Sequence, residues 1–268
     1  MNNLSAWERI EIVRHPKRPS AIDYIPLIFE DFYELHGDRL CGDDGAVMGG
    51  VGRFRGIPVT VAAQVKGRDL QENKQCNFGM PHPEGYRKAL RLAKQAEKFR
   101  RPVIFFVDTP GAYPGVDAEK HGQGEAIAAN IAKLMTLKTP IISIVLGEGG
   151  SGGALAMAVC DELLMLENAV YSVISPSGFA SILWKDPARE KEACEIMKIT
   201  AEDMMRLKVC DGIIPEPMGG AHNDCQQTAE NISDSIFKSL ERKLQKGLDE
   251  LLIERYNRFR LIGEFQER

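Results

Sequence analysis

The stretch that decides the fold is PIISIVLGEGGSGGALA, residues 140–156. It opens with Pro140, continues as an apolar run to Leu146, enters a glycine loop and then takes on a helical pattern over residues 154–159. The same order of proline, Val- and Ile-rich run and glycine loop begins at residues 58–65 and again at residues 102–107. Apolar runs of this length, bounded by Gly and Pro, are typical of buried strands joined by helical crossovers. The sequence therefore predicts an α/β fold with parallel strands.

Five glycines in residues 147–153 leave backbone N–H groups bare at the end of the third predicted strand. Glycine is free to adopt positive φ, and we expect the following helix to point its unpaired donors at a bound group. Such donors stabilise an oxygen that gains negative charge in a transition state. The alternative is a turn that serves only the close packing of helix on strand. A second turn, DTPGAYPG at residues 108–115, follows the preceding strand and should emerge at the same sheet edge.

The same glycine stretch also matches the G-x-S-x-G pattern of serine hydrolases, with Ser151 as the nucleophile. His222 follows later in the chain, and Asp161 and Asp211 lie between the two. A hydrolase is therefore the alternative hypothesis. The DTPG segment imitates the D-x-x-G of GTPases, but the sequence contains no phosphate-loop motif, and the dinucleotide-binding fingerprint fails as well.

Composition narrows the classes of partner. Lys plus Arg number 34 against 38 Asp plus Glu, which gives a net charge of -4 and argues against nucleic acid and anionic membranes as partners. The sequence shows no signal-peptide pattern and no apolar run of about 18 residues, so we expect a cytoplasmic protein. The six cysteines form no C-x-x-C pair and the histidines show no H-E-x-x-H spacing, so we expect no metal in this chain.

The length and the lack of an evident linker favour one domain over residues 1–268. Residues 1–35 are expected to form an N-terminal helical segment. Apolar residues recur every four positions from Ile232 to Leu252 with almost no breaker, which predicts one long C-terminal helix over residues 228–262. We expect this helix at a subunit interface, and the alternative is a helix that packs on its own domain.

Five segments, in this order, resemble the carboxyltransferase alpha subunit of multi-subunit acetyl-CoA carboxylase. They are residues 77–91 (NFGMPHPEGYRKALR), 108–115, 147–156, 171–176 (YSVISP) and 216–222 (EPMGGAH). The resemblance implies a crotonase-like fold of repeated ββα units with flanking helices. It also implies transfer of a carboxyl group from carboxybiotin to acetyl-CoA, which forms malonyl-CoA in the first committed step of fatty acid biosynthesis. A propionyl-CoA type of carboxyltransferase is the variant that the sequence leaves open.

The resemblance further implies the site residues and the partners. Gly152 and Gly153 would supply the N–H groups that bind the ureido oxygen of biotin. Contacts to substrate or cofactor would come from Gly79, Met80, Gly111, Ala112, Tyr113, Gly149, Gly150, Ser151 and Ala154. The implied partners are a beta subunit with a zinc ribbon in an α2β2 heterotetramer, a biotin carboxyl carrier protein, and biotin carboxylase. The beta subunit would hold most of the CoA thioester.

Overall fold

The computed structural model describes residues 4–263, so the first three and last five residues of the predicted 1–268 domain lie outside the described residues. A mixed sheet of eight strands forms its centre, in the order β1-β2-β3-β4-β5-β6-β8, with β7 paired to the end of β5. The strands are β1 (Glu30–Glu34), β2 (Val47–Phe54), β3 (Ile57–Gln64), β4 (Val103–Thr109), β5 (Ile141–Gly150), β6 (Glu162–Leu166), β7 (Val170–Ser172) and β8 (Gly212–Ile214).

The three predicted apolar runs correspond to β3, β4 and β5, which lie side by side. β3 pairs in parallel with β4, and β4 pairs in parallel with β5. In the second pair Val103 lies opposite Ile141. All seven residues of β4 are buried, as expected for a strand covered on both faces. The predicted parallel arrangement is confirmed, and the two glycine turns emerge at the same edge of the sheet. β1, β2 and β3 are antiparallel to one another.

Helices connect and cover the strands. Within residues 4–263 the α-helices are α1 (Ala6–Val13), α2 (Ala21–Ile28), α3 (Leu70–Gln75), α4 (Pro83–Lys98), α5 (Val116–Lys120), α6 (Gln123–Met135), α7 (Ser151–Ala158), α8 (Pro176–Trp184), α9 (Glu190–Met197), α10 (Ala201–Arg206), α11 (Cys225–Leu244) and α12 (Leu248–Arg260). The small-residue helix α7 packs against β4 and β5, because Gly and Ala side chains allow its backbone to approach the sheet. None of the helices in this range combines the length and the apolar character that a bilayer crossing requires.

The prediction of one long helix over residues 228–262 is wrong. α11 ends at Leu244, and α12 begins after Gly247, whose extended backbone (φ -67, ψ 151) resets the chain direction. The four-residue spacing explains the break, because it precesses around a helix of 3.6 residues per turn. Leu240 is therefore still buried, whereas Leu244 and Leu248 have rotated to the surface.

The two ends of the chain differ from expectation in other ways. Ile232, Ile236 and Leu240 pack into this chain's own core, so the apolar face of α11 follows the alternative of packing on its own domain. The N-terminal segment, predicted to be helical over residues 1–35, contains α1 and α2 but ends in β1. β1 forms because Glu30 and Tyr33 find partners in the exposed edge of β2, at Arg53 and Val51.

A buried arginine attaches α12 to the end of the sheet at which the parallel strands begin, opposite the glycine turns. The Arg255 guanidinium is fully buried and donates two hydrogen bonds of 2.8 Å to the Asp161 carboxylate. Its remaining N–H groups donate to the carbonyl oxygens of Leu134, Leu137 and Thr139. Because every hydrogen-bond donor of the side chain is used, the charge is tolerated without water.

Candidate active site

The first glycine turn delivers the chain from β5 directly into helix α7. β5 ends at Gly150, α7 begins at Ser151, and no side chain caps the helix. The first N–H groups of a helix have no partner within the helix. Those of Ser151, Gly152 and Gly153 are therefore free to bind an external acceptor, and the positive end of the helix dipole favours one that carries negative charge.

The glycines of this turn allow close approach, and none of them adopts the positive φ that glycine permits. The left-handed residue is Ser151, at φ 51. A Cβ on Gly147 would lie 2.6 Å from Oδ1 of Asp108, and a Cβ on Gly150 would overlap the Pro110 carbonyl. The missing side chains let β5 and its turn press against the second turn.

Gly153 and Gly152 differ in their surroundings although they are adjacent. A Cβ on Gly153 would lie 2.6 Å from the backbone nitrogen of Ala112 and 2.7 Å from the carbonyl carbon of Gly111. A Cβ on Gly152 would meet only the Ile127 side chain, at 3.6 Å. The start of α7 thus rests on the second turn through Gly153, while the backbone at Gly152 has space around it.

The second turn is held by its own side chains. Thr109 Oγ1 accepts a hydrogen bond from the Gly111 N–H at 3.0 Å and donates to the Gly111 carbonyl at 2.7 Å. The carbonyl of Tyr113 accepts a 3.0 Å hydrogen bond from Gln123, and the Tyr113 ring stacks on His82 with 4.2 Å between ring centroids. These contacts fix residues 108–115 against α4 and α6.

Four charged side chains underlie the two turns. Lys66 Nζ lies 2.8 Å from Oδ1 of Asp108 and 3.2 Å from Oε2 of Glu148. Arg14 binds the other oxygen of Glu148 at 2.8 Å, and Asp108 Oδ1 also accepts the Glu148 N–H at 2.9 Å. Lys66 follows β3, whereas Asp108 lies near the end of β4 and Glu148 near the end of β5. The network therefore ties together the carboxyl ends of β3, β4 and β5.

The charge states in this network are stabilised by mutual attraction. Burial alone would lower the pKa of Lys66, but the carboxylates of Asp108 and Glu148 outweigh it and raise that pKa above its ordinary value. Burial likewise opposes ionisation of Glu148, but Lys66 and Arg14 lower the Glu148 pKa below its ordinary value. The lysine and Glu148 thus remain charged at neutral pH, and Lys66 is a poor candidate for a general base.

Two cavities flank the start of α7. A small one, of about 50 Å³, is lined by residues 148–151 together with Ser172, Ile174 and others from the β7 side. A larger one, of about 440 Å³, is predominantly apolar and includes Gly152, Leu155, Val173 and Phe179 among its lining residues. We call the second the apolar cavity. Ser151 lines both, so the free N–H groups of α7 lie between them.

The other residues predicted for the site take different places. Gly79 adopts φ 75 and lies against Lys66, whose Cγ would be 2.8 Å from a Cβ at that position. Ala154 is a buried residue of α7, and Met80 donates its N–H to the carbonyl of Asn77. Sequence reasoning missed Lys66, Glu148 and Arg14. The position of Lys66 directly after a predicted strand was the signal that pointed to it.

The residues proposed for a serine hydrolase triad do not come together in the structure. Ser151 follows the carboxyl end of β5, whereas Asp161 precedes the parallel strand β6 at the opposite sheet edge and binds Arg255. Asp211 binds Arg258 at 2.7 Å. His222 stacks on His15 with 3.9 Å between ring centroids. Each proposed partner of Ser151 contacts another side chain instead, so the match to the G-x-S-x-G pattern does not correspond to a catalytic triad.

Solved structures with a similar arrangement define the class of fold. The transcarboxylase 12S core with bound methylmalonyl-coenzyme A has a TM-score of 0.72 at 20% identity, over 92% of this chain and 46% of that one. The MdcD-MdcE heterodimer of Pseudomonas malonate decarboxylase has a TM-score of 0.63 at 19% identity, over 80% of this chain and 88% of that one. The chain has the crotonase-like fold, as the resemblance implied.

Sequence comparison narrows the class to one family. The family model described as "Acetyl co-enzyme A carboxylase carboxyltransferase-like" matches residues 1–263. The acetyl-coenzyme A carboxylase carboxyl transferase subunit alpha of Clostridium acetobutylicum is 59% identical over 98% of this chain and 96% of that protein. That of Listeria monocytogenes is 56% identical over 99% of this chain and 83% of that protein. The chain belongs to this carboxyltransferase family, with close relatives named as alpha subunits.

One relative bears on assembly. A Clostridium tetani protein named as the fused subunits beta/alpha is 55% identical to this chain, which spans 46% of its length. The alpha-subunit names of the relatives imply a beta-type partner for chains of this kind.

Proposed function

We propose that this chain is the alpha half of an acetyl-CoA carboxyltransferase and that the N–H groups of Gly152 and Gly153 bind the ureido oxygen of biotin. The observation that carries the proposal is the uncapped start of α7 between two cavities. The proposed partners are a beta subunit with a zinc ribbon in an α2β2 heterotetramer, a biotin carboxyl carrier protein and biotin carboxylase, acting together in the cytoplasm.

The residues around α7 fit the group that they would hold. The apolar cavity suits the hydrocarbon part of a bicyclic ring, and the free N–H groups suit its one strongly polar oxygen. Tyr171, whose backbone belongs to β7, lies against Gly149 and forms part of the wall. No side chain at the start of α7 competes for these donors among the described residues.

The contribution of this chain to the reaction is electrostatic. Bound carboxybiotin would supply the carboxyl group, and the N–H groups of Gly152 and Gly153 would face its ureido oxygen, which would gain negative charge on transfer. Preorganised N–H donors that face the oxygen contribute on the order of 3 kcal/mol each to such a transition state. The donors cost little reorganisation, because Gly153 is packed on the second turn and the charged network holds the strand ends below.

The acceptor of the carboxyl group would be the CoA thioester held by the beta subunit. In the proposed assembly the beta subunit presents the CoA thioester across the cleft, so that the two substrates meet over the start of α7. Enclosure of the cleft by both chains would raise the rate by proximity and by exclusion of water.

A pair of substitutions at Gly152 tests the role of the N–H group. Gly152→Ala keeps the N–H, and its new methyl group meets only Ile127. Gly152→Pro removes the N–H at a first-turn position, where the proline ring is compatible with a helix. Both variants are co-expressed with the beta subunit, and assembly is checked by size-exclusion chromatography. We expect the proline variant to transfer carboxyl groups about 100-fold or more slowly than the alanine variant. Equal rates in two correctly assembled complexes would disprove the proposal.

A further inference from the structure

Three potential metal ligands from distant parts of the chain meet at the start of α4. They are the Cys41 thiol, the Glu84 carboxylate and the His121 imidazole, and their ligand atoms all lie within 4.8 Å of one another. His121 Nδ1 is 2.7 Å from Oε1 of Glu84. Cys41 belongs to the loop before β2, Glu84 to the first turn of α4, and His121 to the end of α5. We call this group the Cys-Glu-His cluster.

The loop that presents Cys41 is rigidly organised. Oδ1 of Asp38 accepts the N–H groups of Leu40, Cys41 and Gly42 at 2.8, 2.8 and 3.0 Å. Burial would raise the Asp38 pKa, but these N–H bonds and Arg87 together lower it to about 2. The carboxylate therefore stays ionised and keeps the three amides converged, which fixes the position of the cysteine backbone.

One arginine connects the segments that carry the ligands. Arg87 binds Oδ2 of Asp38 at 2.7 Å and donates to the carbonyl of His121 at 2.8 Å. It also reaches Oε1 of Glu84 at 3.2 Å. Its single positive charge is shared between Asp38 and Glu84, so a Cys41 thiolate and Glu84 together would still offer a cation a net negative charge. The backbones of all three potential ligands are thus held before any ion arrives.

The combination of ligand types selects among metals. Calcium and magnesium prefer oxygen ligands, whereas thiolate together with imidazole and carboxylate is a typical set for zinc. Zinc bonds of about 2.0 to 2.3 Å require ligand atoms that are about 3.3 to 3.8 Å apart. The separations in the cluster, from 2.7 Å up to at most 4.8 Å, bracket this spacing. Rotation of the half-exposed His121 ring and of the exposed Cys41 side chain would adjust them.

We propose that Cys41, Glu84 and His121 bind a zinc ion. Three protein ligands leave one tetrahedral position for water. Binding displaces the thiol proton to solvent, so the affinity should fall as the pH is lowered. The expectation that this chain holds no metal depended on spacing along the sequence, which cannot detect ligands separated by tens of residues.

The proposed ion would strengthen the support of the second glycine turn. His121 closes α5, the short helix that follows residues 108–115, and Gln123 two residues later holds the carbonyls of Pro81 and Tyr113. A metal bond between His121 and α4 would fasten this connection. The inference does not depend on the proposed function, because zinc binding is measured without turnover.

The test is a zinc titration of the full, untagged chain by isothermal titration calorimetry after removal of metal with a chelator. We expect one equivalent of zinc to bind. Cys41→Ser and His121→Ala should each weaken binding by about 100-fold or more, since even the loss of an outer-shell partner costs 10- to 100-fold. Cys225→Ser and His36→Ala are the matched controls and should bind zinc as the unsubstituted chain does.

Cobalt provides an independent measurement. Co²⁺ in the zinc position should give a thiolate charge-transfer absorption that disappears in Cys41→Ser and persists in Cys225→Ser. Circular dichroism of the metal-free variants checks that these substitutions leave the fold intact. Failure to bind one equivalent of zinc, or equal affinity in the cluster variants and the controls, would overturn the proposal.

Discussion

Replacing Gly153 by alanine probes the contact between the two glycine turns. The new methyl group would lie 2.6 Å from the Ala112 nitrogen and 2.7 Å from the Gly111 carbonyl carbon. Both are backbone atoms, so relief requires that the second turn or α7 moves. Overpacking of this kind costs about 1 to 3 kcal/mol. For a chain of this size we therefore expect Tm to fall by roughly 2 to 12 °C.

Gly152→Ala is the matched control, because it makes the same chemical change one residue earlier. Its methyl group meets only Ile127 at 3.6 Å, and alanine is favoured over glycine in a helix by up to about 1 kcal/mol. Thermal and urea unfolding of the two variants, with carboxyl transfer measured on the assembled complex, give the comparison. We expect Gly153→Ala to lose both stability and activity relative to Gly152→Ala. Free energies of unfolding within about 0.5 kcal/mol of each other would refute the packing argument.

Three further substitutions address other parts of the molecule. Ser151→Ala should reduce carboxyl transfer by less than about tenfold, since loss of a true nucleophile would remove nearly all activity; steady-state assays of the complex decide this. Arg255→Ala leaves the buried Asp161 carboxylate without its partner and should lower the urea-derived free energy of unfolding by about 3 to 5 kcal/mol. Burial opposes the ionisation of Glu216, but hydrogen bonds and charge from Arg18 lower its pKa below the ordinary value of 4.5. A folded-state pKa below the unfolded value gives stability that is present above about pH 4.5 and is lost as the pH falls through the lowered pKa. Urea midpoints between about pH 3 and pH 6 should therefore depend less on pH in Glu216→Gln than in the unsubstituted chain.

The strands next to the candidate site could be predicted from the sequence because their signals are local. Proline and glycine bound each run, and a mostly apolar run such as residues 102–107 fits a strand covered on both faces. The C-terminal helix was predicted incorrectly for a related reason. The four-residue repeat continues through Gly247, and only the burial of Leu240 and the exposure of Leu244 show that the first helix has finished its contact with the core.

The parts of the site that the sequence did not reveal depend on contacts across the fold. The positive φ of Ser151 occurs where the neighbouring glycines pack against residues 108–112, a contact that no local sequence pattern records. The ion pairs of Lys66 join the ends of three strands that are far apart in sequence. Cys41 and His121 likewise approach each other only through the folding of a loop onto α4.

The pairing of Asp161 with Arg255 constrains the order in which the molecule is completed during synthesis. The two residues are 94 positions apart, so Asp161 leaves the ribosome long before Arg255. Until Arg255 is available, burial of the Asp161 carboxylate would leave an unpaired charge away from water, which is strongly unfavourable. We therefore expect the region around residues 134–139 to stay hydrated until residue 255 is available, and a chain that ends before residue 255 to leave Asp161 without its partner.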